Sequence, residues 1–82
     1  MMQITEKSSS LAELATGAFA RISSVELNGL LRRRVLDLGI IPGTQVQCVR
    51  RSPTGDPIAF KVRDTIIALR CDDANLIKVY SM

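Results

Sequence analysis

The sequence predicts a mainly β fold, a small five-stranded barrel with one main α-helix. Two observations support this prediction. After Gly43 the apolar residues alternate with polar ones, the period of two that is typical of half-buried strands. Before Gly43, one segment has apolar residues at helical spacing and lies between an asparagine and a glycine. With 82 residues, the chain has room for a single domain and a single core.

The main helix is predicted over about residues 28–38. Asn28 is placed to cap its start, Gly39 to end it, and Pro42 to prevent its resumption. A helix on the surface of a small domain buries one apolar stripe. The residues expected to form this core-facing stripe are Leu31, Val35 and Leu38.

A shorter helix is predicted over about residues 11–15. The Ser10 hydroxyl and the Glu13 carboxylate have the spacing of a capping box, in which each side chain accepts a hydrogen bond from a backbone amide. Residues 1–9 are polar and without periodicity, so they are expected to form a flexible tail. The single domain is therefore placed at residues 10–82.

One predicted strand precedes the main helix and four follow it. In the first strand, Ala20 and Ile22 are expected to face the core, which leaves Phe19 partly exposed on the opposite face. An exposed aromatic side chain favours a contact surface. The residues expected to be buried in the later strands are Val46, Cys48, Ile58, Phe60, Val62, Ile67, Leu69, Ile77 and Val79.

The segment SPTGDP, residues 52–57, lies between two predicted strands. A phosphate-binding loop needs consecutive backbone amides and a following helix, but Pro53 and Pro57 supply no amide and a strand follows. Gly55 can adopt a positive φ angle, and Asp56 can hydrogen-bond to its own backbone. The segment therefore predicts a hairpin turn.

Composition argues against several classes of function. The chain has no histidine, the commonest general base and metal ligand, and its two cysteines form no CxxC pair. Cys48 and Cys71 are expected to pack in apolar surroundings. No nucleophile lies near a base, so we expect no enzyme, no cofactor and no metal site. The apolar runs are too short for a membrane span or a signal peptide, which predicts a cytoplasmic protein.

The segment from the arginine cluster to the last strand resembles the ferrous iron transport protein A (FeoA) family. The sequences of that family look like R-x-x-L-L-D-L-G-h-x-P-G-x-x-V, where h is a hydrophobic residue, followed by A-P-x-G-D-P and then by L-A-L-R. The similarity extends from Leu11 to Tyr80. The matching positions are Leu36, Asp37, Leu38, Gly39, Pro42, Gly43, Gly55, Asp56, Pro57, Ala68, Leu69 and Arg70.

Three positions depart from the family pattern. Ser52 stands where alanine is common, and Cys71 occupies a position that is often basic. Asp64 stands where glycine often forms the next hairpin turn. Because aspartate tolerates the left-handed conformation, we expect this turn to form with Asp64 in it.

The resemblance implies an SH3-like β-barrel that is cytosolic and has no catalytic activity of its own. It also implies a function in iron homeostasis, as an accessory protein that docks on the membrane transporter FeoB, which carries a GTP-binding domain. The chain would be peripheral to the membrane only through this partner, as a monomer or a weak homo-oligomer.

The residues predicted to bind the partner lie in three places. Arg32, Arg33 and Leu36 share the exposed side of the main helix. The surface could extend to Phe19 and to the hairpin loop. The loop residues concerned are Thr54 and Asp56.

Other interpretations remain open. The arginines can equally be a solvated helix face, with Leu36 at the edge of the core. A second function class is nucleic-acid binding, but it needs denser charge interleaved with aromatic residues, so no nucleic acid is expected. A peptide-binding regulatory module of the SH3 type is a further alternative.

Overall fold

The computed structural model describes residues 8–81. They form one antiparallel sheet, with the strand order β1-β6-β2-β3-β4-β5, around one core. The strands are β1 (Ser8–Ser10), β2 (Phe19–Val25), β3 (Gln45–Arg51), β4 (Ile58–Val62), β5 (Thr65–Leu69) and β6 (Ile77–Ser81). The helices are a 3-10 helix (Leu11–Glu13), α1 (Gly29–Asp37) and α2 (Cys71–Ala74).

All five predicted strands are present, and β1 is an additional strand that the sequence analysis missed. Ser8 and Ser9 pair with Tyr80 and Val79 of β6, so these two serines do not belong to a tail. The sequence Ser8–Ser10 has no alternation of apolar and polar residues, so it gave no signal for a strand. Its place in the sheet comes from backbone pairing with β6. The rest of the predicted tail, residues 1–7, lies outside the described residues.

The predicted alternation of buried and exposed side chains is confirmed in every strand from β2 to β6. Phe60 is the largest fully buried side chain, and Ala20 and Ile22 face the core while Phe19 is 44% exposed. The predicted buried residues Val46, Cys48, Ile58, Val62, Ile67, Leu69, Ile77 and Val79 all belong to the core.

Helix α1 begins after Asn28 and is terminated by the turn at Gly39, as predicted, but the Asn28 side chain makes no capping hydrogen bond, contrary to its predicted role. Gly39 has a φ angle of +108°, which glycine adopts without a steric penalty. The Ile40 amide donates to the Val35 carbonyl (2.9 Å), and the Gly39 amide donates to the Leu36 carbonyl (3.0 Å). These two hydrogen bonds form a Schellman motif, which satisfies carbonyl groups at the end of the helix.

The Schellman motif also corrects the predicted core-facing stripe. Val35 is buried and Leu31 packs against the core, but Leu38 is 39% exposed. Because the chain reverses at Gly39, Ile40 takes the buried position beside Val35. Leu38 therefore lies outside the core, contrary to the prediction.

The start of the 3-10 helix differs from the predicted capping box. Ser10 is at the N-cap position, but its side chain caps no helix amide. Instead, the buried Ser10 hydroxyl donates to the Asn75 side-chain oxygen (3.2 Å), which joins β1 to the segment after α2. The predicted helix over residues 11–15 is one short turn, because a tertiary hydrogen bond replaces the local cap.

Arg51 holds the 3-10 helix segment against the sheet. Its guanidinium donates to the carbonyls of Ala12 (2.7 Å) and Leu14 (3.0 Å). Two charged hydrogen bonds to backbone carbonyls satisfy acceptors that the short helix leaves unpaired. The last residue of β3 is therefore a structural anchor for the N-terminal segment.

Candidate docking surface

The outer face of the sheet carries a row of side chains that crosses four strands. Phe19 of β2 lies opposite Gln47 of β3, Gln47 lies opposite Lys61 of β4, and Lys61 lies opposite Ile66 of β5. Directly opposed residues in antiparallel strands have Cβ atoms about 4.5–5.5 Å apart, so these side chains are neighbours. Phe19 and Ile66, the apolar ends of the row, are 44% and 58% exposed.

A shallow groove of about 470 Å³ lies along part of this row. Val46 belongs to the core, so its contribution to the groove is mainly backbone. One aromatic ring and two cationic side chains therefore line the groove together with polar threonine and glutamine side chains. The residues that line the groove are Phe19, Thr44, Gln45, Val46, Gln47, Lys61 and Arg63.

The sheet is positively charged because its strands, across residues 8–81, contain no aspartate or glutamate. The basic residues of the strands are Arg21, Arg50, Arg51, Lys61 and Lys78. The described acidic residues lie in helices, turns and loops, and they are Glu13, Glu26, Asp37, Asp56, Asp64, Asp72 and Asp73. A surface with charge of one sign attracts an oppositely charged partner over about one Debye length, near 8 Å at physiological salt.

The turn between β4 and β5 places one cationic side chain beside the groove and beside helix α1. Arg63 has a φ angle of +58°, so Arg63, and not the expected Asp64, adopts the left-handed conformation. A Cβ atom built on Gly39 would lie 3.5 Å from both Cδ and Nε of Arg63. The Arg63 side chain therefore packs against Gly39, the glycine that terminates α1. The local sequence pattern did not predict this contact.

The predicted helix residues form a separate patch. Arg32 and Arg33 are exposed on α1 and Leu36 is half-buried. None of these three residues lines the groove, whereas Phe19 does. The structure thus separates the helix residues from the aromatic residue that was expected to extend their surface.

The SPTGDP segment forms the predicted hairpin turn. The Gly55 amide donates to the Ser52 carbonyl (2.8 Å), the Ser52 amide donates to the Pro57 carbonyl (3.2 Å), and Gly55 has a φ angle of +90°. The Thr54 hydroxyl donates to the backbone carbonyl of Asp56 (3.1 Å). The Thr54 hydroxyl, which was predicted to bind the partner, thus has a hydrogen-bond acceptor within the turn.

Asp56 also has a structural contact. Its carboxylate accepts a hydrogen bond from the Cys71 amide (2.9 Å), at the first residue of α2, and not from its own backbone as expected. A carboxylate near the amide end of a helical turn satisfies a donor that has no partner within the turn. Asp56 therefore ties the hairpin loop to α2, although it remains exposed to solvent.

The described residues hold no group of three or more Asp, Glu, Cys or His side chains that could bind a metal ion. Among residues 8–81, no helix is long and apolar enough to cross a membrane. Cys48 is buried and Cys71 is half-buried, both as free thiols.

Comparisons with known proteins agree with this architecture. Residues 9–81 match the model of the FeoA domain. The chain belongs to the FeoA domain family. It is 38% identical over 69 residues to an Fe(2+) transport protein A/Fe(2+) transporter FeoB fusion protein of Porphyromonas gingivalis. That match covers 84% of this chain but only 8% of the length of the fusion protein.

Two solved FeoA structures show the same fold. FeoA from Chlorobium tepidum is 33% identical with a TM-score of 0.85, and the match covers 89% of this chain and 70% of that one. Zinc-complexed FeoA from Stenotrophomonas maltophilia, described as an SH3 domain protein, is 32% identical with a TM-score of 0.76. Here the match covers 85% of this chain and 87% of the other. The predicted SH3-like fold is confirmed.

In this FeoA domain, sequence reasoning found one end of the groove and missed the remainder. Phe19 was predicted, but Gln47, Lys61 and Arg63 were not. A usable signal was present: no strand within residues 8–81 contains an acidic residue, and alternation places Lys61 on the outer face. Which outward residues of different strands become neighbours depends on strand order and register.

Proposed function

We propose that this FeoA domain is a non-catalytic, cytoplasmic accessory protein of ferrous iron uptake that docks on the cytosolic part of the membrane transporter FeoB. The observation that carries the proposal is the Porphyromonas gingivalis relative, whose name joins Fe(2+) transport protein A and the transporter FeoB in one polypeptide. Fusion holds two modules at a high effective concentration, which is useful where the modules work in contact. A separate FeoA chain would reach the same contact by non-covalent binding.

Docking would act through binding energy alone. A partner with two conformations shifts toward the one that the FeoA domain binds more tightly, and the size of the shift is set by the difference in affinity. A small domain with a preformed rigid sheet can supply such a difference without chemistry of its own. The sign of the effect, activation or inhibition, depends on which FeoB conformation is bound.

The outer face of the sheet is the docking surface that we favour. Phe19 offers an apolar anchor, and Lys61 and Arg63 flank it with positive charge. Central aromatic anchors surrounded by polar residues often contribute most of the binding energy of an interface. The α1 patch of Arg32, Arg33 and Leu36 is the competing surface. The charge of either surface favours an acidic site on the partner.

Isothermal titration calorimetry with the purified cytosolic part of the FeoB from the same organism tests both the function and the surface. Phe19→Ala and Lys61→Glu should each weaken binding about 10-fold, a typical effect for a residue at the centre of an interface. Arg32→Glu and Leu36→Asp are the matched changes on α1. A greater loss from the α1 variants would move the docking site to the helix, and no binding by the unmodified chain would overturn the proposed function.

Leu36→Asp needs a stability measurement beside the binding measurement. Leu36 is half-buried, so a loss of binding counts only if the variant still unfolds cooperatively at a temperature near that of the unmodified chain. Unfolding of the variant would show that Leu36 stabilises the core. Titration with a fluorescent oligothymidine is a second control, since tight binding would favour the nucleic-acid alternative instead.

A further inference from the structure

Strand β5 forms one edge of the sheet. Its only strand partner in the described part of the chain is β4, and the sheet order ends at β5. The strand has the sequence Thr-Ile-Ile-Ala-Leu and contains no charged residue and no proline. Native edge strands usually carry charges, prolines or bulges that prevent pairing with another chain, so β5 is an edge that remains open to pairing.

The register of the β4–β5 hairpin indicates which backbone groups face outward. Val62 lies opposite Thr65 across a two-residue turn, and such a turn closes on a hydrogen-bonded pair. Hydrogen-bonded and non-hydrogen-bonded positions then alternate along the strand, so Thr65, Ile67 and Leu69 bond to β4. The amides and carbonyls of Ile66 and Ala68 point away from β4, toward the open edge.

The residues around this edge are complementary to themselves. If two copies of β5 pair antiparallel about Ile67, residue 66 lies opposite residue 68 of the other copy. Asp64 then lies opposite Arg70 at both ends of the pair. Both residues are exposed and directly flank β5, at positions two residues beyond Ile66 and Ala68. A two-fold axis at Ile67 thus produces two pairs of opposite charge, with Asp64 of one copy facing Arg70 of the other at each end.

We propose that β5 binds a second copy of this chain and forms a two-fold symmetric dimer through edge-to-edge pairing. Four backbone hydrogen bonds form. Ile66 of each copy exchanges two of them with Ala68 of the other copy, one donated by each amide. The Ile66 side chain is 58% exposed in the single chain. In the dimer it is covered in part by the Ala68 methyl group and the β5 backbone of the other copy. A contact along one five-residue strand is smaller than the ~1,200–2,000 Å² of standard interfaces, so the dimer is weak and depends on concentration.

A charge-swap experiment tests the pairing about Ile67. Sedimentation velocity of the full chain over a range of concentrations measures dimer formation for four proteins: the unmodified chain, Asp64→Arg, Arg70→Asp and the double variant. Each single variant places like charges opposite each other at both ends and should raise the dimer dissociation constant about 10-fold. The double variant restores both opposite-charge pairs and should dimerise like the unmodified chain.

A mixture of the two single variants tests directly whether Asp64 faces Arg70 of the other copy. In a mixed dimer the arginine introduced at position 64 of one copy faces the aspartate introduced at position 70 of the other, and the original Arg70 faces the original Asp64. An equimolar mixture should therefore dimerise more strongly than either variant alone. A monomeric unmodified chain at all concentrations, or no recovery in the mixture and the double variant, would overturn the proposal.

A variant with an altered edge provides a second readout. Ile66→Lys adds a charge to the edge strand and should abolish dimer formation while the fold, followed by circular dichroism, stays intact. Val49→Lys changes an exposed aliphatic residue of β3, away from the edge, and should leave dimer formation unchanged. Equal dimerisation by the Ile66 variant and the unmodified chain would place any self-association elsewhere. None of these outcomes depends on binding to FeoB.

Discussion

The two ends of the β3–β4 hairpin differ in whether their polar side chains have hydrogen-bond partners within the chain. At the loop end, Arg51 binds carbonyls of the N-terminal segment and Asp56 binds the first amide of α2. At the open end, Phe19 and Lys61 line a groove, and the Lys61 ammonium group makes no side-chain hydrogen bond within residues 8–81. Both ends contain exposed polar residues. The residues predicted to bind the partner were Thr54 and Asp56 at the loop end and Phe19 beside the open end, whereas Lys61 was not predicted.

The comparison shows that exposure alone does not identify a binding residue. Asp56 and Lys61 are both exposed, but only Asp56 has a hydrogen-bond partner in the described chain that explains its position. A side chain with an internal partner stabilises the fold, whereas a side chain without one is available to another molecule. Substitutions separate these two roles, with the largest loss of stability expected at Arg51 and the smallest at Lys61.

Arg51→Ala should lower the free energy of unfolding by about 2 kcal/mol, because two backbone carbonyls lose a charged donor. For a domain of this size this corresponds to a decrease in Tm of roughly 8–16 °C. Thermal unfolding followed by circular dichroism measures the change. Arg50→Ala, the matched change at the exposed neighbouring residue, should leave Tm nearly unchanged. Equal effects of the two substitutions would contradict the anchoring role of Arg51.

Gly55→Val should destabilise the protein by about 1–2 kcal/mol, because a β-branched residue is strained at the φ angle of +90°. A Cβ atom at this position would meet no neighbour within 4 Å, so the cost is conformational and not a clash. Gly55→Asn is the control, since asparagine tolerates positive φ angles better. Urea unfolding should rank the proteins glycine, asparagine, valine in decreasing stability; an unchanged valine variant would exclude this strain.

Asp56→Ala should lower stability by about 1 kcal/mol, the usual effect of removing a cap at the start of a helical turn. Affinity for the cytosolic part of FeoB should not change, because the carboxylate binds α2. Asp64→Ala, in the other turn, is the control for a general loss of negative charge. A loss of affinity with unchanged stability would return Asp56 to the docking surface.

Lys61→Glu should change stability by less than about 0.5 kcal/mol, as is usual for an exposed residue whose side chain has no hydrogen bond within residues 8–81. Its affinity for the partner should nevertheless fall about 10-fold, and raising the salt concentration should reduce the difference between the variant and the unmodified chain. The affinity of Lys61→Gln, which removes the charge without reversing it, should lie between that of Lys61→Glu and that of the unmodified chain. Affinities that do not depend on the charge at this position would contradict a role for the basic face.

Much of the fold could be predicted because its signals are local. Alternation identified the five longer strands, and Asn28 and Gly39 bounded α1 to within a residue. The failures are tertiary in origin. Ser10 bonds to Asn75, 65 residues away, and Leu38 is exposed because Ile40 is folded back onto Val35. In each case a distant or reversed segment competed successfully with the local pattern.

The candidate site was predictable only in part for the same reason. Phe19 followed from alternation within one strand, whereas its neighbours Gln47 and Lys61 came from strands that begin 26 and 39 residues later in the chain. The helix residues Arg32 and Arg33 were chosen for their charge, and they lie outside the groove. Charge identifies candidates, but only proximity assembles them into one surface.

Local signals in the sequence were enough to predict the five longer strands, helix α1, most residues of the core and the resemblance to the FeoA family, because periodicity, turn chemistry and motif spacing are local properties of a chain. Which exposed residues become neighbours depends instead on how the strands are arranged in the folded chain. The strand order and register bring Phe19 beside Gln47 and Lys61, place Arg63 on Gly39, and leave β5 at the edge of the sheet. These contacts join segments far apart in sequence, and a one-residue change in register would move every side chain of a strand to the other face.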